Sequence, residues 1–302
     1  MTRRNAARGL PLAQGARAGW CAGLALLAVA CADPRFPPDA DARFEPWVGR
    51  YAARSFMYGT DGPLRPSAET LSIVEIVPRG DRLMLEQKWC VYEGVVTFVL
   101  EGYLRYEFPS SLPPVTAEMV LDGSSFSTKL TTYTLGYQQE APSACASSDR
   151  AHLSTEQSGL FGTCQCPADE STMPARAADC RVTDPDQDGL PGATFELLVS
   201  GATWTYQVVQ EVRLRYLNGY RGRNGLYADL ESNATTQLLK CSEPDLVPDC
   251  ALRDPLPCPA KYNKSEFVPI DDDYDCRRVM AEKEGLFPSP IPMFPPACAA
   301  EL

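Results

Sequence analysis

Histidine is nearly missing from this chain: His152 is the only one in 302 residues. A His-centred zinc site and Ser-His-Asp catalysis therefore have almost no material. Basic charge is scarce too. Lys and Arg number 28 against 39 Asp and Glu, a formal charge of −11, which argues against the basic footprint of a nucleic-acid binder. GxSxG, a Gly-rich phosphate loop, HExxH and CxxC are all absent. The apolar run at residues 18–30 (AGWCAGLALLAVA) falls short of the about 20 residues a membrane-spanning helix needs. Long helices have little support, because 27 prolines and 21 glycines point to many turns.

What is present begins with an address. Arg3, Arg4, Arg8 and Arg17 precede the apolar run, and no acidic residue interrupts it. This is the order of a signal peptide over residues 1–30. The run ends Ala28-Val29-Ala30-Cys31. It resembles the lipobox of bacterial lipoproteins, in which small residues precede a cysteine that is lipidated and becomes the new N-terminus. The position usually held by leucine is Ala28, with Leu27 one place further back. The resemblance implies lipidation at Cys31 and a cell-envelope location. Ala32, rather than Asp, follows the cysteine, which by the same resemblance favours the outer membrane. Cleavage there leaves a charge of −15. Membrane attachment is then expected through the lipid alone, since an anionic chain is repelled by anionic head groups. Residues 31–46, rich in Pro and Asp, are expected to form a tether of roughly 20 Å.

Beyond Cys31 stand ten cysteines: Cys90, Cys145, Cys164, Cys166, Cys180, Cys241, Cys250, Cys258, Cys276 and Cys298. An even number behind an export signal predicts five structural disulfides. Their connectivity stays open, and each closure contributes about 2–4 kcal/mol.

From residue 47 the pattern is that of strands. Residues 82–92 alternate most clearly: Leu83, Leu85, Gln87, Trp89 and Val91 on one face, Met84, Glu86, Lys88, Cys90 and Tyr92 on the other. Similar β-branched and aromatic runs occupy 47–58, 69–78, 95–108, 115–121 and 125–136, then 193–199, 203–217, 226–231 and 235–241. Asp122-Gly123, Asn218-Gly219 and Asn224-Gly225 read as turns. Short connections imply antiparallel pairing. The expectation is an all-β domain over 47–241 of about ten strands, with a Cys-rich insert at 138–192. It is a meander barrel, lipocalin-like in architecture, or a two-sheet sandwich. Residues 242–302 read as a Cys/Pro-rich extension with a short helix at 276–285, led by the acidic run 271–275.

One motif carries chemistry. Asp184-Pro185-Asp186-Gln187-Asp188-Gly189 places three carboxylates in strict alternation before a glycine. Alternate carboxylates in a turn converge, and calcium requires six to eight hard oxygen donors. The segment resembles the calcium loops of EF-hands, dockerins and thrombospondin type 3 repeats. That resemblance implies Asp184, Asp186 and Asp188 as side-chain ligands and Leu190 as a backbone-oxygen ligand. The twelfth position, normally a bidentate Glu, is Phe195, and Glu196 falls one residue late. A structural calcium of modest affinity, roughly 10⁻⁵ to 10⁻³ M, is expected; an acidic turn without metal is the alternative. Function is then read as a non-enzymatic binding or structural domain, with an unidentified ligand or protein partner. The alternative is an envelope hydrolase using a carboxylate pair.

Overall fold

The computed structural model describes residues 35–36, 40–58, 68–97, 101–137, 183–190, 192–241 and 262–288. These form eleven strands and two short helices. The strands are β1 (Gly49–Met57), β2 (Ala68–Arg79), β3 (Arg82–Thr97), β4 (Glu101–Glu107), β5 (Val115–Asp122), β6 (Ser125–Thr128), β7 (Thr131–Leu135), β8 (Ala193–Val199), β9 (Ala202–Arg221), β10 (Leu226–Cys241) and β11 (Lys264–Pro269). The helices are α1 (Cys276–Ala281) and α2 (Lys283–Leu286). No helix among the described residues is long and apolar enough to cross a membrane.

Every strand pairing is antiparallel, and the sheet closes on itself. The ring runs β10-β11-β1-β2-β3-β4-β8-β9 and returns to β10. Closure pairs each strand of the ring on both sides, and it settles the architecture as a barrel rather than a sandwich. The wall between the long strands β3 and β9 is built in two storeys. β4 and β8 bridge them at one level and β5 and β6 at the other, while β7 pairs with β9.

The interior is filled mainly by aliphatic and aromatic side chains. Tyr51, Val74, Ile76, Leu83, Leu85, Tyr216, Leu226 and Phe267 are all buried in one cluster. Several polar groups among them are paired with one another. Ser55 and Ser265 share a 2.7 Å hydrogen bond, Gln87 Nε2 donates to Ser72 Oγ, and the Tyr216 hydroxyl donates to Gln87 Oε1. Such pairing is what makes polar groups tolerable inside a barrel.

Several boundaries differ from the sequence reading. The expected strand at 95–108 is divided between the end of β3 and β4, and that at 125–136 between β6 and β7. The runs 226–231 and 235–241 merge into β10. Asn218-Gly219 is no turn. Asn218 adopts φ 50° inside β9, where the register with β10 slips between Tyr227 and Asp229. It is a bulge, held as Asn218 Nδ2 donates to Asp229 Oδ2. The tether ends earlier than residue 46, because Phe44 is buried in the barrel core and Phe36 packs against it. The 242–302 extension is not peripheral: it supplies β11, seated between β1 and β10.

The alternation on β3 also changes hands. Leu71 faces Val91 and Ser72 faces Trp89, so Cys90 is the extra residue of a bulge. Cys90 and Val91 therefore both turn outward, into a cluster with Val279 and Phe287. Tyr92 turns inward instead, against the expectation that it shares a face with Cys90. Cys90 bonds Cys276 at the start of α1. Asp275 caps α1 by accepting from Arg278 N at 2.8 Å. The Arg54 guanidinium, paired with Glu266, lies between the rings of Phe56 and Phe287. The C-terminal helices are thus fixed to the outer face of β1–β3. Cys31, Cys145, Cys164, Cys166, Cys180, Cys250, Cys258 and Cys298, the Cys241 side chain and His152 lie outside the described residues.

Candidate functional site

Two features adjoin on one side of the barrel: the aspartate loop and a pair of cavities. The loop is clasped at its base. Thr183 N donates to Gly136 O and Gly192 N to Thr183 O, each at 2.8 Å. Gly136 and Gly192 have φ of 76° and 85°. A Cβ on either would lie within 2.7 Å of the same Val208 carbonyl, so only glycine lets the clasp sit this close to β9.

Within the loop, the Asp184 carboxylate accepts from the amides of Asp188 and Gly189, and Asp188 Oδ1 accepts from Leu190 N. Asp186 Oδ2 accepts from Thr194 N at 2.8 Å, tying the loop to β8. The structure brings the three expected carboxylates together, with one oxygen of each within 4.8 Å of the others. Leu190 belongs to the same loop through its amide. Phe195 points into the barrel and Glu196 to solvent, as the strand alternation requires.

Three carboxylates this close repel. Burial first, then the Asp184 carboxylate, to which a protonated Asp186 can donate, and the charge of Asp188 push the Asp186 carboxyl up to about 6, despite the Thr194 amide acting in the other direction. Asp186 Oδ1 is buried and has no hydrogen-bond partner among the described residues. The Tyr106 hydroxyl, also buried and unpartnered, is held neutral by its own burial and then by the three aspartates. The donor set is all oxygen and trianionic when ionised. It suits a hard cation such as calcium and offers nothing to a soft one.

The second acidic run is built otherwise. Asp272 pairs with Arg35, Asp273 with Arg278, and Asp275 is the helix cap. Three of its four carboxylates are thus engaged by a guanidinium or a backbone amide.

The cavities follow from the two-storey wall. The β5 ladder on β3 stops at Gln87 and the β4 ladder begins at Val91. A cleft of about 710 Å³ opens there, between Lys88–Trp89, the turn after β4, the edge of β7 and the base of the aspartate loop at Thr183 and Pro185. Behind it, inside the barrel, is a cavity of about 130 Å³. Trp89, Phe108 and Tyr133 line both spaces. Their ring centroids lie 6.0 Å apart for Trp89–Phe108 and 5.7 Å for Trp89–Tyr133.

No Asp, Glu, Lys or Arg among the described residues lines the inner cavity. Burial pushes the Tyr58 hydroxyl up to about 12, and holds that of Tyr133 above its ordinary range as well. The cavity is therefore uncharged across the physiological range. Sequence reasoning missed both spaces. No single strand encodes them, since they arise where two ladders on β3 fail to meet.

Family models, curated proteins and solved structures yield no match to this chain. The reading of function therefore rests on this geometry.

Proposed function

We propose that this is an exported, lipid-anchored protein of the bacterial cell envelope whose barrel is a non-enzymatic binding domain, stabilised by disulfides and by calcium at Asp184, Asp186 and Asp188. The observation that carries the reading is the uncharged cavity of aromatic, aliphatic and neutral polar side chains inside a closed barrel, adjoining a cleft of ligand size. Lipid at Cys31 is the membrane attachment, and the outer membrane is the favoured site. The chain's net negative charge disfavours attraction to anionic lipid head groups or to nucleic acid. Calcium in the loop cancels the repulsion among the three carboxylates and fixes the strand that follows. The hydrolase alternative needs paired carboxyl groups in an open cleft. Among the described residues neither space is lined by any Asp or Glu, so no observation favours it.

Equilibrium titration of the mature, oxidised protein with prodan, an uncharged, environment-sensitive naphthyl ketone, tests the reading. One saturable site per chain with blue-shifted emission is expected. Emission that rises linearly with probe and never saturates contradicts it.

A further inference from the structure

We infer that the side cleft is the route into the barrel, and that Trp89 recognises an uncharged molecule bearing a flat ring and a hydrogen-bond acceptor. The inference rests on the binding-domain reading above and gives it a ligand chemistry. Its first support is an unpaid hydrogen bond. Trp89 is 9% exposed, yet its indole N–H has no partner among the described residues. A buried donor left unpaired costs about 1–3 kcal/mol, and buried Trp N–H groups normally find an acceptor. Thr70 Oγ1, on the wall of the same cavity, is likewise buried and unpartnered. Two orphan polar groups around one uncharged space mark the place of a polar atom on a ligand.

The second support is shape. The inner cavity of about 130 Å³ approaches the roughly 150 Å³ that admits a benzene-sized guest. The outer cleft has room for the remainder of a small molecule. Trp89, Phe108 and Tyr133 line both spaces. Phe108 is half-buried, so its ring can turn aside while Trp89 and Tyr133 stay fixed. A ring passing between Phe108 and Tyr133 meets aromatic faces on each side and then the indole N–H. A charged head group finds no counter-ion among the described lining residues of the inner cavity and is excluded by its desolvation cost.

The test compares prodan with 2-dimethylaminonaphthalene, the same ring system without the ketone, on the mature, oxidised protein. Stopped-flow fluorescence gives rates and affinities. Wild type is expected to prefer the ketone about tenfold, the worth of one buried hydrogen bond. Trp89→Phe keeps an aromatic ring and removes the donor. It should bring the ratio of the two affinities to about one, whatever the smaller ring does to the binding of both probes in common. Thr132→Trp places bulk on the exposed rim of the cleft. It should slow association and dissociation of both probes tenfold or more, with the ratio of rates unchanged.

If neither probe binds wild type, the binding-domain reading falls and this inference with it. If both bind equally well, or the ketone preference survives Trp89→Phe, the role of Trp89 is overturned. Unaltered rates in Thr132→Trp overturn the side route. The wild-type preference and the Thr132→Trp rates decide the matter even where Trp89→Phe disturbs folding.

Discussion

Replacing Asp186 by Asn should change the sign of its effect with calcium. Without metal, the folded protein holds the Asp186 proton up to a pH of about 6, against 3.8 for an ordinary aspartate. The folded state therefore binds more protons than the unfolded one between these values. The contribution of Asp186 to metal-free stability is fully present below about pH 4 and is lost as pH rises through about 6. A displacement of this size corresponds to about 3 kcal/mol for a group cut off from solvent. Asp186 is only half-buried, and its solvent contact reduces the penalty, from burial first and then from its acidic neighbours, to about 1 kcal/mol. Asn keeps an oxygen to accept from Thr194 N and removes the charge. Asp186→Asn should thus stabilise the metal-free protein at pH 7 by about 1 kcal/mol. With calcium the order reverses. A ligand at a hundred times its Kd stabilises the wild type by about 2.7 kcal/mol, and the variant should lose most of that gain. Thermal melts with calcium and with chelator, at fixed ionic strength, read both halves. Asp272→Ala, which removes a carboxylate already paired with Arg35, should respond to calcium like wild type. Equal calcium responses in all three proteins, or a metal-free variant no more stable than wild type, would refute the reasoning.

Other outcomes follow from the same structure. Replacing Cys90 and Cys276 together by Ala opens a link between residues 186 apart in sequence and should cost about 2–4 kcal/mol in urea denaturation. Proteolysis should then begin in the segment carrying α1 and α2, and an unchanged midpoint would contradict this. Gly192→Ala forces a left-handed φ and a Cβ against the Val208 carbonyl. It should destabilise by more than about 1 kcal/mol and weaken the calcium response, as melts with and without the ion would show. Cys31→Ser should move the protein from the membrane to the soluble fraction of a bacterial host, and retention with unchanged processing would count against the lipid anchor.

The strands were legible where the period was long and undisturbed. Residues 82–89 of β3 alternate in sequence and in space. The pattern fails at Cys90 because a bulge inserts one residue without leaving a mark in composition. Everything beyond it on that strand then faces the opposite way from its expected side. The same blindness hid the bulge at Asn218, whose Asn-Gly pair serves a turn and a bulge equally well. β11 escaped notice because its six residues offer one large inward side chain, Phe267. It is a strand only because β1 and β10 leave a gap for it. Phe44 was missed for a related reason: one aromatic residue in a Pro- and Asp-rich stretch carries no period. The aspartate triplet was readable because its chemistry is local, confined to five residues. The cleft and cavity were not, being set by where the ladders of β4 and β5 end on β3.

The central claim is that an uncharged ligand reaches the interior of the barrel, and the indole N–H signals of the ¹⁵N-labelled mature protein report on it most directly. Trp47, Trp89 and Trp204 supply these signals. Titration with prodan should shift the Trp89 resonance downfield and saturably, at one equivalent, as its orphan donor gains an acceptor, with Trp204 unmoved. A Trp89 signal that stays in place at saturating ligand, or three signals drifting together without saturation, would contradict the account.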